Sequence, residues 1–206
     1  MTRIVRSCAV AALVVGAALA FVTGCAAAPA APPQIPPTPG MVAVHQDTRI
    51  TLPVTVGLAF HHPNLSDRTE YAVLFTVQQA MRSMVQAEYS TKGSDAELSQ
   101  YWSGAGLSTV NAQINQWVKL KQQPVGVIVL EDTTYTAATG KRPAAVSFCA
   151  DWSNVVRGQT RTHVVGSAVQ AKNAKPTYER LGLSRAKDKR WRVNSLALSP
   201  NSPKCP

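Results

Sequence analysis

The hydrophobic period of this chain changes at Pro124. From Asp67 to that proline, apolar residues recur at three- and four-residue spacing, and after it they alternate or cluster as branched residues between turn signals. Helices first and hairpin-linked strands second is an α+β order. It predicts helices packed on one face of a curved antiparallel sheet, not the alternation that builds a parallel one.

The helical half has readable starts and stops. Asp67, with Glu70 three residues on, is a capping box. Tyr71, Leu74, Val77, Met81, Met84, Val85 and Glu88 then fall on one helical face over about five turns. Lys92-Gly93 breaks the pattern, and Ser94-Asp95-Ala96-Glu97 is a second box. It opens a short helix through Leu98, Tyr101 and Trp102 that is expected to end at Gly104 and Gly106. A third helix carries Leu107, Val110, Ile114, Trp117 and Val118 until Pro124 stops it.

Strands are expected on both sides of this block. Thr48 to Leu58 alternates loosely, and Pro53 would put that strand on an edge. Val125 to Ala137 and Pro143 to Trp152 are strands around a Thr139-Gly140-Lys141 turn. Asn154 to Gly158 reads as a turn, and Gln159 to Ala171 as the next strand. Thr177 to Leu183, a basic turn from Arg185 to Arg190, and Trp191 to Leu198 make a closing hairpin. From Asp67 to Leu198 the order resembles the NTF2-like superfamily, whose last strand also begins at a tryptophan. The resemblance implies an NTF2-like α+β cone; the strand before the helices is not part of its usual pattern.

The first residues carry an address. Arg3 and Arg6 precede an uncharged apolar run from Ser7 to Phe21, too short to span a membrane, for which about 20 apolar residues are needed. Val22-Thr23-Gly24-Cys25 resembles the lipobox of bacterial lipoproteins, which implies cleavage after Gly24 and a diacylglyceryl group, with further acylation such as palmitate, on Cys25. Two or three acyl chains anchor stably, because each buried CH₂ contributes about 0.8 kcal/mol. Ala26 to Gly40 holds six prolines in fifteen residues and no charge, a polyproline stalk. The expected organisation is a signal peptide at 1–24, lipidated cysteine and stalk at 25–44, and one domain at 45–206. The expected location is the extracytoplasmic face of the cell membrane.

Of the four cysteines, Cys8 would leave with the signal and Cys25 would be lipidated. Cys149 and Cys205 remain, an even pair in an oxidising compartment, where a disulfide is the natural inference and two free thiols the alternative. The Cys149-Ala150-Asp151-Trp152-Ser153 stretch and the terminal Cys205 also resemble actinobacterial extracytoplasmic lipoproteins of unassigned function. Charge is uneven: Lys and Arg number six against eight acids from His45 to Gly140, then thirteen against three to the end. Such an asymmetry suits either an anionic partner or plain solubility.

Candidate chemistry is sparse. His61-His62 point different ways with no third ligand nearby, so neither a metal nor a cofactor is expected. Asp151 and His163 form one candidate acid–base pair. If the hairpin turned about Val156, however, Asp151 would face Arg161 and Cys149 would face His163, outside the cone, with Val146, Phe148, Ala150 and Trp152 on the core side. Ser103 lacks the context of a nucleophile elbow. No catalytic residue is therefore assigned, and the expectation is a non-enzymatic lipoprotein domain that docks on another envelope protein. One alternative is a module for a lipid or apolar small molecule, with Leu74, Met81, Phe148 and Trp152 lining its cavity. A further one is a ketosteroid-isomerase-like or SnoaL-like enzyme, which should place an ionisable group in that cavity. Lys187, Lys189 and Arg190 are candidates for contact with an anionic surface. Nucleic acid is not expected, because base-stacking aromatics are missing among the basic residues apart from Trp191.

Overall fold

The computed structural model describes residues 47–61, 67–90, 97–139, 142–159, 165–169 and 175–206. The chain divides into two units, Met1–Pro37 and Thr38–Pro206, and every described residue belongs to the second. The expected signal peptide, lipidated Cys25 and stalk thus lie outside the described residues.

Asp67 starts the first helix, α1 (Arg68–Ser90), by accepting hydrogen bonds from the backbone N–H groups of Thr69 and Glu70 at 2.5 and 2.9 Å. The cap satisfies two of the donors that a helix start leaves unpaired. Leu74, Val77, Met81, Met84 and Val85 are buried as their spacing demands. Val73, Ala80, Ser83 and Ala87 are buried too, because α1 is covered by the other helices as well as by the sheet.

One turn, α2 (Leu98–Tyr101), follows, and Trp102 locks it down by donating its indole N–H to the Ala80 carbonyl at 2.9 Å. The third helix, α3 (Gly104–Leu120), includes Gly104 and Gly106, contrary to the expectation that they end the preceding helix. They belong to the start of this one. Gly104 turns the chain at φ +52°, and at Gly106 a Cβ would stand 3.0 Å from backbone atoms of Asn194 and Ser195, so the glycine lets the helix lie against the last strand. Lys121, in the left-handed region, closes α3 before Pro124 is reached.

The strands are β1 (Val56–Phe60), β2 (Gln122–Thr136), β3 (Ala144–Asp151), β4 (Val155–Gln159), β5 (Val165–Ala168), β6 (Thr177–Arg185) and β7 (Trp191–Ser199). Their order is β5-β4-β2-β3-β6-β7, with β1 joined to β2 in the sheet's only parallel pairing among the described residues. Long β2 holds three partners along its length: β4 from Gln122 to Gly126, β1 from Gly126 to Leu130, and β3 from Val129 to Thr136. Gly126, where β4 hands over to β1, sits at φ +126°, and a Cβ there would be 2.0 Å from the Asn154 carbonyl oxygen. Three helices packed on this open sheet make an α+β fold.

Two strand expectations need correction. Thr48 to Leu58 holds two turns, closed by Ile50 N–H to the Asp47 carbonyl and Val56 N–H to the Pro53 carbonyl, and the strand proper starts only at Val56. Pro53 shapes a turn instead of an edge strand. Asn154 to Gly158 is not the turn expected either. The chain reverses at Ser153-Asn154, where Asp151 Oδ1 accepts from the Ser153 N–H at 2.8 Å, and residues 155–159 form β4. That strand pairs with β2, so Cys149 stands opposite Glu131 and Tyr178, and Asp151 opposite Val129. The register that set Asp151 against Arg161 is excluded; Arg161 and His163 themselves lie outside the described residues. The core side of β3 was read correctly, with Val146, Phe148 and Ala150 fully buried and Trp152 nearly so. On the other face Cys149 is bonded to Cys205, with 5.7 Å between the α-carbons, tying the tail across the sheet. The β6–β7 hairpin also forms as expected, Trp191 beginning its second strand.

Candidate active cleft

A cleft of about 660 Å³ opens between α3, the ends of β3 and β6, β4 and the tail. Gln113 and Trp117 come from α3, Trp152 from the turn after β3, Arg157 from β4, and Thr177 and Glu179 from β6. The volume lies in the range of small-molecule sites, roughly 300 to 1,000 Å³. Its aromatic walls are Trp117 and Trp152, both almost wholly buried, and the Arg157 guanidinium stands 5.9 Å from the Trp117 ring centroid.

Glu179 is the unexpected member of this lining. Alternation along β6 gives it the same face as Leu181 and Leu183, the face that meets the core, and it stands opposite Phe148 of β3 and Leu198 of β7. Only 4% of its surface is exposed. Burial pushes its carboxyl up to about 8. At neutral pH it is therefore a neutral acid, able to donate an O–H.

A second buried glutamate stands behind the cleft wall. Glu88 of α1 is fully buried, and Gln113 donates its side-chain N–H to Glu88 Oε1 at 2.8 Å. Burial raises this carboxyl to about 8 as well; Gln113 and, less strongly, the Trp117 indole act in the other direction, and the Glu179 charge adds to the rise. Glu88 Oε2 is buried without a hydrogen-bond partner among the described residues. Gln113 thus holds Glu88 and lines the same cleft as Glu179.

The candidates from the sequence scatter. Leu74, Met81 and Phe148 are packed in the core cluster, and of the four cavity residues named above only Trp152 reaches the cleft. Lys187, Lys189 and Arg190 lie in the exposed β6–β7 turn, far along the hairpin from Glu179, with Arg190 paired to Asp188 at 3.0 Å. His61 follows β1, its Nδ1 4.0 Å from Glu131 Oε1. No group of three His, Cys, Asp or Glu residues able to hold a metal occurs among the described residues. Both glutamates were missed as functional candidates. The signal was present: Glu179 breaks the apolar parity of its strand, and Glu88 is the one acid in the apolar stripe of α1.

No family model matches the chain, and no curated protein matches it. Among solved structures it is similar to Aln2 from a Streptomyces species, at 16% identity and a TM-score of 0.44, covering 67% of this chain and 95% of that one. It is also similar to a protein described as a candidate ketosteroid isomerase from Shewanella frigidimarina, at 14% identity and a TM-score of 0.37, covering 62% and 94%. A third is a candidate dehydratase of the NTF2-like family from Streptomyces avermitilis, at 14% identity and a TM-score of 0.40, covering 62% and 97%. These likenesses concern overall arrangement, and no residue role is taken from them.

Proposed function

We propose that this chain is a membrane-anchored lipoprotein whose domain binds a flat, mostly apolar small molecule carrying a carbonyl or similar acceptor. The observation that carries the reading is the Glu179 carboxyl, buried and neutral at ordinary pH, at the edge of a cleft walled by Trp117 and Trp152. A neutral acid in apolar surroundings is a strong donor to a ligand oxygen and costs far less to bury than a carboxylate. The indole faces supply most of the contact area at little conformational cost. The anchor is inferred from the Cys25 motif and the stalk. Binding without turnover is our reading of the site, and recovery of ligand unchanged after incubation supports it, whereas conversion to an isomer or dehydrated product moves the domain to the enzyme alternative.

The test is a set of neutral aryl ketones screened by ligand-observed NMR against the full chain in detergent. Binding should weaken about tenfold in Glu179→Leu, the scale expected when one hydrogen bond to a ligand is lost. It should persist in Glu179→Gln, whose amide still donates. Ala112→Trp, an exposed substitution on α3 at the cleft lining, should block it outright. Ketones that bind equally well to the blocked variant would remove the cleft from the account.

A further inference from the structure

A second concave surface lies at the opposite end of the β6–β7 hairpin and shares no lining residue with the cleft. It is a groove of about 510 Å³ between the first turns of α1, α2, the loop at Arg49 and the β6–β7 turn. Its apolar part is aromatic. Tyr71 and Phe75 stack with ring centroids 6.5 Å apart and 17° between planes, and Tyr101 and Trp191 join them in the lining.

Four cations border these rings: Arg49, Arg68, Lys189 and Arg190. No acid lines the groove among the described residues. Two of the four are already partnered, Arg49 by Asp47 and Arg190 by Asp188, which also holds Arg192 at 2.8 Å. Tyr101 adds its hydroxyl to Asp47, fixing the Arg49 end. Arg68 and Lys189 have no acidic partner among the described residues, and both are exposed. They come from different elements, the start of α1 and the hairpin turn, with aromatic rings in the same lining.

We propose that this groove docks an acidic segment of a partner protein, one carrying aromatic or leucine side chains between its acids. The unpaired cations belong to separate elements, so an occupant that satisfies both needs more than one negative charge, with an apolar body between the charges to cover the rings. Extended acidic peptide has that composition. A flat anionic bilayer fits less well, because it meets the hairpin tip but does not enter a concavity to cover Tyr71 and Phe75. Lys187, the third cation named for such a surface, does not line the groove at all. Interfaces that combine aromatic anchors with complementary charge gain affinity from the first and association rate from the second.

The probe is a fluorescein-labelled octapeptide alternating Glu with Phe and Leu, titrated by anisotropy into the full chain in detergent. Its control is the same peptide with Lys for Glu. Saturable binding of the acidic peptide alone is expected, weakening with added salt and falling at least tenfold in Arg68→Glu/Lys189→Glu. Arg68 is the first residue of α1, where an acid suits the helix dipole, so the variant should melt no lower than the parent. The neutral pair Arg68→Gln/Lys189→Gln should fall between the two. No saturable binding, equal binding of the lysine peptide, or binding unchanged in both variants would each overturn the proposal. So would loss, in these variants, of association with phosphatidylglycerol vesicles while the peptide fails to bind, which would make the groove a membrane contact.

Discussion

Glu179 and Glu88 are the residues at which the chain departs from what stability alone would select. Each is held protonated by burial, with a carboxyl raised from the ordinary range to about 8. A group whose folded value is raised binds more protons folded than unfolded between those values, so its contribution is complete in acid and is lost as pH climbs from about 4.5 towards 8. Across that window each glutamate costs at most about 1.4 kcal/mol of stability per pH unit. Thermal melts should therefore fall as pH rises through it, with a smaller fall in Glu88→Gln and in Glu179→Gln and the smallest in the double variant. Melts that keep their pH dependence in the double variant would place the titrating groups elsewhere. Ligand affinity should follow the same titration, dropping above about pH 8 in the wild type and staying level in Glu179→Gln. Parity made both acids visible in the sequence. What no spacing could show is that α1, α3 and β6 bring them to one place, because that depends on how the helices settle on the sheet.

At the scale of elements, the readable parts were those set by local chemistry. Asp67 caps α1 through its own side chain, and the Tyr178 to Leu183 strand pairs with its sequence neighbour. The missed parts were set by distant partners. Val155 to Gln159, largely inside the expected turn, forms β4 and pairs with β2, and Gly104 and Gly106 serve the contact of α3 with β7, not a helix end. Gly126 marks the most constrained point of that arrangement. Alanine there would meet both an unfavourable backbone conformation and the Asn154 carbonyl, so Gly126→Ala should lower stability by about 2 kcal/mol or more in a denaturant melt. The disulfide acts on a different element, the tail, which contributes Pro200 and Asn201 to the cleft. Cys149→Ala/Cys205→Ala should cost about 2 to 4 kcal/mol, chiefly by freeing the unfolded chain. Because the tail borders the cleft, the same variant should also bind ketones more weakly, and unchanged affinity would show that the tail does not shape the site.

At the scale of the whole molecule, the anchor and stalk proposed above precede a domain with two separate concave faces. Cys25→Ala should move the protein from the membrane to the soluble fraction of the cell envelope without altering ketone binding by the domain, a result that fractionation and NMR together would check. Retention of the variant on the membrane would assign the attachment to some other part of the chain. The charge asymmetry reads differently with the fold in hand. Of the thirteen basic residues of the second half, Arg157 and Lys175 border the cleft and Lys189 and Arg190 the hairpin groove. Counting charges along the sequence could announce an anionic partner but could not separate these two places, which are formed by β4 and the segment before β6 in one case and by the β6–β7 turn in the other.

The most direct test is a carbon-13 NMR titration of the glutamate side-chain carboxyls in the full chain, with Glu179→Gln and Glu88→Gln supplying the assignments. Two carboxyls that stay protonated through neutral pH and titrate near 8 are expected, the Glu179 signal moving when an aryl ketone is added. A Glu179 carboxyl that titrates among the ordinary surface acids, or that ignores the ketone, would contradict the neutral donor on which the proposed function rests.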